Sequence, residues 1–181
     1  MSQETWLQAR QTAGELARLP ICVDDNPDMS MDRVRSSARL LQSKGKCDFI
    51  IIDYLQLCDM RTEQNNRNRL LAKELHIPVI LLSQLNRGSE NRAYGRLELA
   101  DLRESGAIEQ DSDLVVLLYR PALAHLATDK QSGYPTEGLG IAIIAKHRNG
   151  ETGNVYFGHN RSMTKIGDYV PPTEWIRRNA K

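Results

Sequence analysis

The sequence predicts an α/β fold: a mostly parallel sheet flanked by helices and ending in an antiparallel hairpin. Three observations carry this. Helical and strand patterns alternate along most of the chain. The strand candidates FIIID, VILLS and DLVVLLY are continuously apolar, as strands covered by helices on both faces must be. Towards the other end, GIAIIAKHR and NVYFG flank NGETG, which is two strands around a short Gly-containing turn.

Each element follows from local chemistry. Residues 4–18 place Trp6, Ala9, Ala13, Leu16 and Ala17 at helical spacing, and Pro20 stops the pattern before a short strand, ICVD. DNPD is turn chemistry. Ser30 then caps a helix with Val34, Ala38 and Leu41 on one face, which Gly45 closes. FIIID follows, and a short helix through LLAKEL leads by way of Pro78 to VILLS. A long polar segment precedes DLVVLLY. Residues 121–138 read as surface loop, and the tail from Arg161 reads as an extension with five basic against two acidic residues. No internal repeat or low-complexity tract interrupts the pattern.

Composition narrows the function classes. The 181 residues, 40% hydrophobic and 26% charged, suffice for one substantial core. Net charge is +1, so overall charge gives no sign of a nucleic-acid or anionic-membrane partner, and any basic surface must be local. Cys22, Cys47 and Cys58 are odd in number and far apart, which suits buried, reduced thiols in a cytoplasmic protein rather than disulfides or a zinc site. Neither a signal peptide nor an apolar run of membrane-spanning length is expected from the sequence.

The candidate site residues stand at strand ends. In open α/β sheets ligands bind beyond the carboxyl ends of the strands. Asp53 ends an apolar strand there, where a carboxylate can hold the water shell of a phosphate-bound magnesium ion; it could equally cap the following turn. Ser83 and Gln84 end the next strand, and a neutral amide at that place can orient water or sense a γ-phosphate. An ordinary strand-to-loop transition would look similar. In ADLRESGAIEQDSD, Arg103 can pair with a phosphate, Glu104 stands beside it, and Gly106 allows close backbone approach, although a solvated loop has the same composition. Lys146 and Arg148, two apart on one strand, point to one side and could stabilise transferring phosphate, although a basic strand end is more often simply solvated.

Taken in order, IIIDYLQL, LAKELHIPVILLSQLNR, DLRESGAIEQDSDLVVLLYR, IIAKHRNG and TGNV resemble the C-terminal RecA-like motor domain of the bacterial replicative helicases of the DnaB family. The similarity runs from about Thr5 to Phe157, with RESGAIEQD its most specific part. It implies a RecA-like P-loop NTPase core, with residues 1–160 a portion of the motor domain and 161–181 a C-terminal extension. It also implies an ATP-dependent DNA helicase that works as a homohexamer on single-stranded DNA, with ATP and Mg2+ as cofactors and a primase and a helicase loader as partners. Under the resemblance Asp53 positions magnesium, Asp53 and Ser83 bind the nucleotide cofactor, and Gln84 couples the γ-phosphate to DNA. Arg87, Arg103, Glu104 and Gly106 face DNA, while Lys146 and Arg148 reach the neighbouring subunit's nucleotide as an arginine finger does. Gln84–Gly106 carries four arginines against four acids, so contact falls to individual arginines and backbone N–H groups.

Two departures matter. The phosphate-binding loop G-x-x-x-x-G-K-[ST] does not occur in the sequence, and in the family it lies upstream of the matched region together with the general base. The segment RTEQNNRNR is also shorter than its family counterpart, which bears on subunit packing. The expectation is therefore a helicase portion inactive alone. The alternative is a non-catalytic fragment that binds DNA or helicase subunits.

Overall fold

A computed structural model of the chain describes residues 2–26, 30–53, 71–85 and 96–179, with only the backbone over 103–108. The chain divides into two compact units, residues 1–82 and 83–181.

The first unit opens with α1 (Gln3–Leu16), whose N-cap Ser2 accepts from the Thr5 N–H at 3.3 Å. None of its residues is buried. The segment ICVD, expected as a strand, has no regular structure, and Ile21 and Val23 are exposed. A strand exists only through its partner's hydrogen bonds, and apolar content cannot supply one. Helix α2 (Met31–Ser43) behaves as its sequence dictates. Ser30 Oγ accepts from the Arg33 N–H at 3.3 Å. At the other end Gly45, at φ +65°, lets the Lys46 N–H reach the Leu41 carbonyl (2.9 Å) and its own N–H reach Gln42 (2.8 Å). Those two bonds are the Schellman closure that glycine permits.

Strand β1 (Ile50–Ile52) pairs in parallel with β2 (Val79–Leu81), Ile50 opposite Val79 and Ile52 opposite Leu81. Between them α3, described over residues 71–75, ends at His76, whose φ of +53° breaks the helix two residues before Pro78. The core of this unit joins Met31 and Ala38 of α2, Ile52 of β1, and Leu71 and Leu75 of α3. Arg35 and Arg39 of α2 both pair with Glu74 of α3, and Gln42 donates to the Leu75 carbonyl at 2.5 Å. Among the described residues only one face of the parallel pair is covered: Phe49, Ile51, Ile80 and Leu82 are exposed. The expectation of cover on both faces therefore fails for the described residues. The thiols also differ from expectation. Cys22 is exposed and Cys47 half-buried, while Cys58 lies outside the described residues. Burial, then the neighbouring Asp48 charge, pushes the Cys47 thiol up.

The second unit is built on an antiparallel sheet in the order β3–β4–β5–β6, formed by Leu114–Tyr119, Leu139–His147, Gly153–His159 and Ile166–Asp168. The β4–β5 hairpin is the one legible in the sequence. Strand β3, expected among the parallel strands, instead pairs antiparallel with β4. Its burial alternates: Val115, Leu117 and Tyr119 are buried, whereas Leu114, Val116 and Leu118 are exposed. The α/β class stands, with its described strands split into a parallel pair and an antiparallel four. A 3-10 helix (Leu99–Ser105) runs into α4 (Gly106–Asp111), and Leu102 packs on Val115 and Leu117. Farther along the sheet, Tyr119, Leu139 and Ile141 form a second cluster with Tyr134, Tyr156 and Tyr169. A Cβ on Gly140 would meet the Phe157 ring at 2.2 Å, so any side chain at this cross-strand position would have to displace that ring.

Residues 161–181, read on sequence as an extension, supply β6 and α5 (Thr173–Asn179). They are fastened to residues 121–138. Tyr169 donates to the Pro135 carbonyl at 2.8 Å, Trp175 Nε1 donates to Gly133 at 2.9 Å, and Tyr134 stacks edge-on to Trp175. The loop expected at the surface is itself organised around Asp129, which is 3% exposed. The Asp129 carboxylate accepts from the N–H groups of Gln131 and Ser132 and from the Ser132 hydroxyl, and faces Arg96 at 3.7 Å.

Candidate functional site

Parallel pairing fixes where the polar strand ends emerge. The Leu82 N–H donates to the Ile52 carbonyl at 3.0 Å, which carries the pairing to the last residue of β1. Asp53 follows at once, exposed at the carboxyl end of that strand. A carboxylate in that setting offers a hard oxygen with water around it, which suits one contact to a magnesium ion whose other positions belong to water and phosphate. Among the described residues no group of three or more His, Cys, Asp or Glu gathers for a metal. Asp53 alone could hold such an ion only through a bound nucleotide.

Ser83 and Gln84 follow β2 as the first residues of the second unit, Ser83 half-buried and Gln84 exposed. The Ser83 hydroxyl donates to the Gln84 carbonyl at 3.3 Å. Arg87 lies outside the described residues, as does the segment RTEQNNRNR. Arg103 and Glu104 are placed by backbone on the 3-10 helix, and Gly106 opens α4.

A register shift decides the side on which Lys146 stands. Val116 faces Ile144 and Val115 faces Lys146, so Ala145 is an extra residue in β4. Without this bulge Lys146 would pair with Leu114 on the open face. With it, Lys146 stands beside buried Val115, on the face where Leu102 packs. There Lys146 Nζ donates to the Glu109 carbonyl and, at 3.1 Å, to that of Gln110. Arg148 Nη2 donates to Gln110 at 3.3 Å, and Nη1 pairs with the Asp113 carboxylate. Two cations thus meet the C-terminal carbonyls of α4, which lack intrahelical donors and carry the negative end of the helix dipole.

Asp113 was not among the sequence candidates. Its signal is slight: an acid directly before an apolar strand, opposite a basic strand end. The Asp129 knot was missed as well, although an Asp followed three residues later by Ser and then Gly is recognisable Asx-turn chemistry.

A family model described as DnaB-like helicase C terminal domain matches residues 1–168. The replicative DNA helicase DnaB of Mycobacterium intracellulare is 37% identical over 178 residues, covering 93% of this chain and 30% of that protein. The one from Leifsonia xyli subsp. xyli is 40% identical over 176 residues, covering 92% and 37%. The chain therefore spans about a third of the length of these curated relatives. Among solved structures, an ATPase domain superposes with a TM-score of 0.79 at 34% identity, over 94% of this chain and 62% of that one. A DnaB-like replicative helicase, whose interactions with primase were solved alongside it, gives 0.77 at 31% identity, over 94% and 43%. These likenesses bear out the RecA-like class expected from the sequence.

Proposed function

The chain belongs to the family of DnaB-like helicase C-terminal domains, and on that footing we propose that it is the portion of a ring helicase motor that acts on a neighbouring subunit's nucleotide. Lys146 and Arg148 supply the charge, in the manner of a finger delivered in trans. The observation that carries this is their gathering at one strand end next to the RESGAIEQD segment. In this reading Asp53 contacts the Mg2+ of bound ATP, Ser83 serves nucleotide binding, and Gln84 couples the γ-phosphate to DNA. Arg87, Arg103, Glu104 and Gly106 hold the backbone of single-stranded DNA in a homohexameric ring. A primase and a helicase loader are its partners, and the cytoplasm is its place of work. Among the described residues no helix is long and apolar enough to cross a membrane.

The sequence contains no G-x-x-x-x-G-K-[ST], so the donors that grip β- and γ-phosphates must come from elsewhere. The 181-residue chain alone is then expected to show no measurable ATP turnover. That same feature favours a second reading, a non-catalytic module that binds DNA or helicase subunits.

Complementation separates the two. The chain is mixed with full-length Leifsonia xyli DnaB in which alanine replaces the residue aligned with Arg148, and Mg-ATP hydrolysis is followed with and without single-stranded DNA. Restored DNA-stimulated hydrolysis by the wild-type chain and none by Arg148→Ala is the expected result. Equal restoration by both, or robust turnover by the chain alone, overturns the proposal.

A further inference from the structure

Asp113 stands between α4 and β3 and meets Arg148 twice. Its carbonyl accepts the Arg148 backbone N–H at 2.8 Å, and its carboxylate pairs with Nη1. The main-chain bond fixes the stem of Arg148 whichever partner the guanidinium takes. The side-chain bond is of another kind: the Asp113 side chain is 76% exposed and that of Arg148 38%. Ion pairs so open to water are weak and exchangeable. A phosphate group competes well for the same fork, with more charge and more acceptor oxygens in a geometry that matches the guanidinium.

We propose that Asp113 is the positioning residue for Arg148: it holds the guanidinium against α4 until a nucleotide phosphate on an adjoining copy of the chain takes it, and that release removes one of the two cationic donors at the Gln110 carbonyl, leaving Lys146. The proposal rests on the reading of Lys146 and Arg148 as groups that act on a neighbour's nucleotide. Its consequence runs both ways. Helix α4 has only six residues, so the carbonyls of Glu109 and Gln110 that accept from Lys146 and Arg148 are a large part of its terminus. The helix continues directly from the 3-10 segment bearing Arg103 and Glu104. Whatever steadies α4, bound single strand included, holds Arg148 back or directs it; whatever draws Arg148 away loosens α4. Such reciprocity is required of any two coupled binding events.

The test uses the 181-residue chain with 15N-labelled arginine, titrated with inorganic phosphate as the probe. The Arg148 Nε–Hε signal and amide exchange over Glu109–Asp111 are read together. As phosphate saturates, the Arg148 signal should move and the α4 amides should exchange faster. Asp113→Asn should reach half-saturation at about 2- to 5-fold lower phosphate, the range that loss of an exposed ion pair allows. In that variant, before phosphate is added, α4 should already exchange faster than in wild type, though Lys146 still caps Glu109 and Gln110. Asp113→Glu should restore both properties towards wild type. Glu151→Gln removes a charge of the same sign three residues from Arg148 and controls for field effects alone. Equal shifts in Asp113→Asn and Glu151→Gln would overturn the proposal, and so would a phosphate response with unchanged α4 exchange. The helicase reading fails separately: if Arg148→Ala complements as well as wild type while the titration behaves as described, the clasp stands without that role.

Discussion

The parallel pair β1–β2 and the antiparallel sheet β3–β6 are built from equally apolar sequence, yet they differ in how much of their stability is their own. Each parallel strand has three residues, and the pair is held mainly by α2 and α3 lying on one face. The antiparallel sheet has four strands, one of them nine residues long, closed by an aromatic cluster and a buried carboxylate. A two-stranded ribbon is marginal in water, whereas three or more strands with an apolar face sustain themselves. Both sheets leave one face open among the described residues, with Ile51 and Ile80 on one and Leu118, at 69% exposure, on the other. The lesson concerns division of labour. Asp53 stands on the weaker frame, and Lys146 and Arg148 stand on the stronger.

The largest effect that can break this comparison comes from core truncation. Ile141 is fully buried in β4 and Leu71 is 1% exposed in α3. Ile141→Ala and Leu71→Ala should each cost about 2–5 kcal/mol. Hydrogen exchange should show the loss confined to its own unit, and in the wild type the β4 amides should be protected about 100-fold more than those of β1. Equal protection in the two sheets, or one loss spread over both units, would mean that they unfold together and that the division is only geometric.

A smaller effect sharpens the comparison within the second unit. Asp129→Ala leaves the N–H groups of Gln131 and Ser132 without their acceptor and removes the carboxylate that faces Arg96, at a cost of about 1–3 kcal/mol. The loop that receives Tyr169 and Trp175 should loosen, seen as faster proteolysis of the tail after Arg161. An unchanged digestion pattern would show that the aromatic contacts hold the tail without the carboxylate.

Features decided within a few residues were legible in the sequence. The Ser30 cap, the Gly45 closure of α2 and the Gly-containing β4–β5 turn all came through, because a cap or a tight turn is local chemistry. Features decided by a distant partner were not. ICVD has the composition of a strand but no ladder to join, whereas Ile166–Asp168, too short to be noticed, becomes one by lying beside Phe157–His159. The Ala145 bulge depends on register against β3, and it alone sends Lys146 towards α4. For the candidate site this means that strand-end residues such as Asp53 and Gln84 could be named from sequence. The partners of Lys146 and Arg148 could not, since Asp113 lies 35 positions from Arg148 and two of the other acceptors are backbone carbonyls.

The smallest expected effect separates the units by pH. Hydrogen bonds from Arg39 and then Arg35 hold the Glu74 carboxyl below the usual glutamate range. A depressed carboxylate adds stability that is fully present above the unfolded value, about 4.3, and is lost as pH falls through that value towards the folded one. Between about pH 6 and pH 3, then, amide protection in α2 and α3 should fall by an extra step that Glu74→Gln does not show. The groups are open to solvent, with side-chain exposures of 26% for Glu74 and 56% for Arg39, so added salt should shrink the step. If Glu74→Gln and wild type lose protection in parallel, the two arginines contribute no pH-dependent stability, and the first unit rests on its apolar contacts alone.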